Sequence, residues 1–356
     1  MLAAFLIFMI CDFITGTAFQ ALDAQERWRI RVPSPAYHHD LKPNFEIQEK
    51  WGSARYPLLT NSLGFRDSKI RTIPLQTQNH RVLFLGDSFT EGLGLPYSQT
   101  YAGRIEKEWA KQKVEILNAA VMGYCVIIYY RKIKYLLEFK KLHFDELVLF
   151  LDVSDMPDDT DRYYLDANGN VQDHDPAPQP LSRPRKILHF FKQHFLTARF
   201  ISALRDSWRW SRVLNVKPMF SNRRSFWAVA PGDAARIKRQ HYLETSEGYL
   251  NQLHELLSSR NIPMTLVIYP WPDQIQFSNQ NITYISFWEN WCRTHHVAFM
   301  DFISNFSDAG SSWEQVVNRY YILGDVHFNA EGHQKMAQRF LDYWAKNHAV
   351  NLGGEK

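Results

Sequence analysis

Cysteine is scarce in this 356-residue sequence, and Cys11, Cys125 and Cys292 are too few for a disulfide framework and lack the spacing of a metal site. A bond between Cys125 and Cys292 is allowed, but two buried thiols are the simpler expectation. A strong excess of one charge is also missing. With 41 Lys and Arg against 37 Asp and Glu, the net +4 gives no general reason to expect a nucleic-acid partner. Glycine and proline, 16 of each, are too few for a collagenous or low-complexity chain. Apolar runs long enough to approach a membrane span are confined to residues 1–19, which excludes a polytopic membrane protein. What is present is a core-forming composition, 45% hydrophobic and 15% aromatic, which also excludes a disordered tail. The length fits one large domain or two ordinary ones.

The segment MLAAFLIFMICDFITGTAF, residues 1–19, reads as a signal peptide or a signal anchor. Its nine Leu, Ile and Phe residues favour insertion by about 4 kcal/mol in sum, and Asp12 opposes it by about 3. Gly16, Thr17 and Ala18 supply small residues for cleavage. No Lys or Arg precedes the apolar run, whereas Arg27, Arg29 and Arg31 follow it, which the positive-inside rule would keep in the cytoplasm. The alternatives are an exported chain acting in the periplasm or cell envelope, cleaved or anchored to the inner membrane, and a buried N-terminal helix.

Residues 21–75 read as a linker or extension with scattered prolines and aromatics, including a turn at NSLGFRD, residues 61–67. From there strands and helices alternate. Apolar runs at 81–86, 114–118, 146–151, 264–269 and 297–301 read as buried strands. Helical spacing covers 97–112, 127–141, 236–259, 282–296 and 330–347. Uniformly apolar strands between amphipathic helices predict a parallel central sheet covered on both faces, a three-layer α/β/α domain over 76–347 with a tail at 348–356. Its ligands are expected beyond the carboxyl ends of the strands. An insertion at 156–235 interrupts the alternation, with a hairpin turn at DANGN (166–170) and a mainly helical stretch at 185–212. Between Arg183 and Lys217 nine Lys and Arg face one acid, Asp206. Such a helix suits a membrane surface or an acidic glycan, or packs on the core with its charges solvated.

Two motifs carry chemistry. GDSFTEG, residues 86–92, sets Ser88 directly after the first strand, where a sheet of this kind exposes a nucleophile beside helix-proximal N–H groups. GDVHFNAEGH, residues 324–333, precedes the last helix and offers Asp325 and His327, a base with its orienting acid. In these blocks the chain resembles the SGNH (GDSL-type) hydrolase family, a flavodoxin-like α/β fold. NAAVMGY (118–124) is similar to the family's glycine block and LFLDVSDM (149–156) stands where its third block falls. The resemblance implies Ser88 as nucleophile, His327 as general base and acid, and Asp325 as its orienter. It also implies an oxyanion hole from the N–H groups of Ser88 and Gly123, and no cofactor or metal. Asp87 reads as structural, and His333 and Gly332 as shaping the loop.

Two positions depart from the family pattern. Ser154 stands before Asp155 where the family has an Asn that donates to the oxyanion, so it is either a weak substitute or a helix cap. Asp325 and His327 are two residues apart instead of three, and an extended segment would point both side chains to one side. Trp271, in the PWP segment 270–272, together with Asp87 and Asp155, is a candidate for the cleft, or else packs on the core. NSLGFRD, GDSFTEG, DVSDMPDD, PWP and GDVHFN together look like a bacterial subgroup associated with surface-polysaccharide assembly. Three functions stay open: an esterase removing acyl or acetyl groups from a carbohydrate, an O-acyltransferase acting on a surface polysaccharide, and a catalytically weak glycan-binding protein.

Overall fold

The computed structural model describes residues 2–28, 30–52, 54–174, 187, 190–192, 194–202, 224–304 and 306–348. The chain divides into two compact units, residues 1–32 with 175–219, and residues 33–174 with 220–356. Strands β1 (Arg31–Ser34) and β2 (His38–Leu41) precede the main sheet.

The larger unit is built on eight strands: β3 (Glu46–Trp51), β4 (Ala54–Thr60), β5 (Arg66–Asp67), β6 (His80–Leu85), β7 (Val114–Asn118), β8 (Glu146–Leu151), β11 (Met264–Ile268) and β12 (Ala298–Asp301). Their order is β12-β11-β8-β6-β7-β5-β4-β3. The five strands from β12 to β7 are parallel, as their apolar sequences require. Val82 to Leu85 and Leu147 to Leu151 are wholly inaccessible to solvent. Phe84 packs edge-on against Trp109 and Phe340, so the alternation of the strand turns Leu83 and Leu85 to the opposite layer. Helix Tyr101–Trp109 pairs with Ala330–His348, and Val126–Glu138 with Asp233–Ser258, covering the mainly parallel sheet expected from sequence.

Two boundaries differ from the sequence reading. The stretch read as a linker over 21–75 holds β3, β4 and β5, which extend the sheet antiparallel. Such strands bury one face only, and the charges of Glu46–Trp51 and Pro57 mask the alternation. Pro57 is tolerated because β5 reaches only Leu59 and Thr60, leaving its missing N–H without a ladder position on that side. The insertion is also narrower than 156–235. Residues 156–174, with the DANGN turn closing hairpin β9 (Tyr163–Leu165) and β10 (Val171–Asp173), lie in the larger unit, as do 224–235.

The smaller unit holds helix Leu2–Trp28 and helical residues between 187 and 202, interrupted at Phe195. The remainder of the helix read over 185–212 lies outside the described residues. Among the described residues no helix is long and apolar enough to cross a membrane.

Candidate active site

Strand β6 ends at Leu85, and the chain turns through Gly86 into the short helix Ser88–Glu91. A side chain at Gly86 would collide with Thr90 Oγ1, so the elbow needs glycine. Asp87 caps the helix by accepting the Phe89 N–H at 2.9 Å, and Gly92 ends it at φ 81°. Arg66, buried beneath this turn, donates to the Gly92 carbonyl at 2.6 Å and to the carbonyls of Glu91 and Leu95. Asn61 shapes the NSLGFRD turn that delivers Arg66, accepting from the N–H groups of Leu63 and Phe65 at 3.0 and 3.2 Å. That motif, whose local reading is a turn, is therefore a brace for the nucleophile loop.

Ser88 Oγ lies 2.8 Å from His327 Nε2, and His327 Nδ1 lies 2.7 Å from Asp325 Oδ1. The structure thus brings together three residues from opposite ends of the larger unit. The two-residue spacing works differently from the extended segment expected. Residues 323–327 form a turn closed by the Ile322 N–H to His327 carbonyl bond at 2.8 Å and a bridge between Tyr321 and Phe328. Asp325 Oδ1 also accepts the Val326 and His327 backbone N–H groups, at 2.6 and 3.2 Å, which folds the carboxylate back onto the imidazole. Burial alone would raise the Asp325 carboxyl, but donors from His327 and Trp51 hold it below the usual carboxylate range. Trp51, at the end of β3, donates from Nε1 to Asp325 Oδ2 at 2.5 Å and sets its ring edge-on to His327. A lone Trp in a polar strand carries no sequence signal for that role.

Gly123 and Ser154 follow β7 and β8, the two neighbours of β6, so both lie at the carboxyl ends that flank Ser88. Gly123 has φ 83°, which favours glycine, and its carbonyl accepts from Tyr163 Oη at 3.2 Å. Beside it His39 donates from Nε2 to the Met122 carbonyl at 2.9 Å, and burial pulls its imidazole down to about 4, so it is neutral. Ser154 makes no capping hydrogen bond. Its hydroxyl instead accepts from Arg224 Nη2 at 3.1 Å, and Arg224 also reaches Asp158 Oδ2 at 2.6 Å.

Below the nucleophile Asp87, Asp152 and Asp155 are all buried, with oxygen atoms within 4.8 Å of one another, the one such group among the described residues. Each also has protein donors. Tyr269 Oη reaches Asp87 at 3.0 Å, Trp271 Nε1 reaches Asp152 at 2.9 Å, and Tyr129 Oη reaches Asp155 at 3.1 Å. Burial first, and the Asp152 carboxylate second, push Asp87 and Asp155 well above the usual carboxylate range. Ser88 Oγ also lies 3.1 Å from Asp87 Oδ2. Asp87, Asp155 and Trp271, candidates for the cleft, are all buried side chains. Trp271 is drawn inward because its indole N–H has a carboxylate to satisfy and its ring packs against Phe89.

His333 is not part of the reacting group: its Nδ1 accepts the Tyr101 N–H at 3.1 Å, and burial pulls it down to about 3. Cys125 and Cys292 are separate buried thiols, pushed upward by burial.

Residues 84–335 match the GDSL-like lipase/acylhydrolase family. No curated protein matches the sequence. Among solved structures, the psychrotrophic esterase EstA from Pseudoalteromonas sp. is 13% identical, with a TM-score of 0.42, over 76% of this chain and 100% of its own. The lipase/acylhydrolase from Enterococcus faecalis is 10% identical, with a TM-score of 0.41, over 75% of this chain and 96% of its own. A two-domain esterase active on acetylated mannans is 12% identical, with a TM-score of 0.38, over 75% of this chain and 49% of its own.

Proposed function

This chain belongs to the GDSL-like lipase/acylhydrolase family, and from that premise we propose that it removes acyl groups, acetyl foremost, from a carbohydrate through an acyl-enzyme on Ser88. The observation that carries this reading is the unbroken hydrogen-bonded series from Ser88 through His327 and Asp325 to Trp51. Ser88 Oγ attacks the ester carbonyl carbon while its proton passes to His327 Nε2. Asp325 holds Nδ1–H and stabilises the imidazolium that results. The N–H groups of Ser88 and Gly123 receive the developing oxyanion. Ser154 adds its O–H, which is free to point at that oxyanion because Arg224 occupies a lone pair of the same oxygen. The C–O bond to the sugar then breaks, and the departing oxygen takes the proton from His327. Water, deprotonated by His327, releases the acid and restores Ser88.

The partly exposed Trp51 beside His327 supports a sugar ring as the bound group, since an indole can stack on it next to a polar reaction centre. The apolar N-terminal segment supports action outside the cytoplasm, at the cell envelope. Burial of Ser88 and His327 favours a second reading, an O-acyltransferase in which a sugar hydroxyl replaces water at the final step.

The test is turnover of a chromogenic acetate ester by the full-length chain, with and without oligosaccharide acceptors, with intact mass after rapid quenching. Acetate release and an acetyl adduct are expected, both lost in Ser88→Ala. Activity that survives Ser88→Ala would sink the mechanism. Acceptor-dependent product selects the transferase, and oligosaccharide binding without turnover selects a glycan-binding protein on a hydrolase fold.

A further inference from the structure

The smaller unit leaves much of its apolar surface outward, with Phe13 packed on Phe190, His194 and Phe195 between its segments. Among residues 3–18 of helix Leu2–Trp28 the fully buried positions are Asp12 and Gly16, a polar and a small residue one turn apart. Asp12 Oδ1 accepts the Thr197 N–H at 2.9 Å, and Thr197 Oγ1 donates to Asp12 Oδ2. Asp12 thereby caps, from the other segment, the helical stretch that begins at Leu196. A side chain on Gly16 would collide with the His194 carbonyl and come within 2.7 Å of Leu196 N, so the two backbones touch there. Thr17 Oγ1 lies 3.2 Å from His194 Nδ1. The outward-facing Thr15 hydroxyl bonds back to the Cys11 carbonyl at 2.7 Å, so it asks nothing of the solvent.

The large apolar side chains near the start of the helix are left exposed. Phe5, Leu6, Ile7 and Phe8 occupy four consecutive positions, about 100° apart, and so surround the helix. Each is 52% to 62% exposed. Ile187, Phe200 and Ile201 on the facing segment are 59% to 64% exposed. A protein partner covers one face of such a helix, whereas apolar residues on every side need an apolar solvent. Pairing through small and polar residues, with the polar groups satisfied against each other, is how helices associate in lipid. The eight-charge basic excess between Arg183 and Lys217, with Arg27, Arg29 and Arg31, complements anionic headgroups.

We propose that the N-terminal helix and the segment around 187–202 insert as one paired unit into the apolar layer of an anionic lipid bilayer, with the Asp12–Thr197 contact sealed between them. Lys192 and Arg199, in the described part of the basic stretch, then lie toward the headgroups, independent of the chemistry at Ser88.

The experiment is flotation of the full-length chain with phosphatidylcholine vesicles and with phosphatidylcholine–phosphatidylglycerol vesicles after detergent removal. Cys11, the exposed thiol, carries a polarity-sensitive fluorophore. The expected result is flotation with both vesicles, stronger with phosphatidylglycerol at low salt, and a blue shift of the label. The quadruple variant Phe5→Ser, Ile7→Ser, Ile10→Ser, Ile14→Ser is expected to lower the bound fraction by about tenfold. Unchanged turnover of the chromogenic ester verifies that the larger unit is folded in the variant. Asp12→Leu, which breaks the pairing and leaves the apolar surface, should bind vesicles yet lose protection of residues 187–202 from protease. A monomer that stays in the aqueous fraction with an unshifted label would overturn the proposal. So would a vesicle-independent dimer lost in the quadruple variant, since that assigns the surface to a second copy.

Discussion

The contact between Trp51 and Asp325 makes an unusual prediction for Asp325→Asn. Two orientations of the new amide compete. With its oxygen at the Oδ1 position it still accepts from His327 Nδ1–H and from the N–H groups of Val326 and His327. Its NH2 then meets the indole N–H of Trp51, a donor against a donor at 2.5 Å. The reverse orientation satisfies Trp51 but sets NH2 against three donors. The first arrangement wins by counting, so the imidazole keeps the tautomer that accepts the Ser88 proton. What is lost is charge. Between unit charges 2.7 Å apart the attraction is about 6 kcal/mol at an effective dielectric of about 20. Much of that exists already with neutral His327, and the amide oxygen keeps its bond. The barrier should therefore rise by about 2–3 kcal/mol, a fall in kcat of about 30- to 150-fold. An inverted tautomer would cost about 10⁴-fold instead. The assay is kcat for the chromogenic ester in a four-member cycle with Trp51→Phe. Trp51→Phe alone removes a hydrogen bond to a charged acceptor and should slow the enzyme. In the Asp325→Asn background it removes the donor–donor contact and should restore activity about threefold or more. A 10⁴-fold loss without rescue would refute the orientation argument, and a loss under threefold would remove Asp325 from the mechanism.

Other consequences are open to direct measurement. Arg66→Met strips the donors from three buried carbonyls around the nucleophile turn, a cost of about 3 kcal/mol, and should lower Tm by roughly 6–12 °C while reducing kcat more than it raises KM. A variant as stable as the parent would show that the brace is dispensable. Glu146, buried at the start of β8 beside Asp145, is pushed by burial up to about 7. Its carboxyl ionises near pH 4 when unfolded, so the folded chain binds the extra proton between those values and stability falls as pH rises from about 4 to 7. Glu146→Gln should abolish that decline and add about 2–3 kcal/mol at pH 8, seen as a flatter urea midpoint against pH. An unchanged slope would place the titration elsewhere.

Much of the site was legible because it follows strand ends. GDSFTEG comes directly after an apolar strand, and GDVHFN directly before a long helix, so a parallel sheet brings both to one edge. Arg66 and Trp51 were not legible. Each acts across the fold, Trp51 on a residue 274 positions away, and neither polar strand nor turn announces such a contact. The antiparallel strands at 46–67 were hidden for a related reason: half-buried strands carry charges, and their pairing partners lie outside the local pattern.

Sequence by itself determined the alternation of apolar strands and amphipathic helices, and with it a parallel core and the edge at which Ser88 stands. Those are consequences of local periodicity, which neighbouring residues impose on one another. The partners of the polar groups were set across the whole fold. The tertiary structure turned Trp271 inward to Asp152, set Ser154 under Arg224, brought Trp51 to Asp325, and buried Asp12 against Thr197. A scarce, costly group such as a buried carboxylate takes whichever donor the whole fold brings within 3 Å, and that choice is made over distances no sequence window spans.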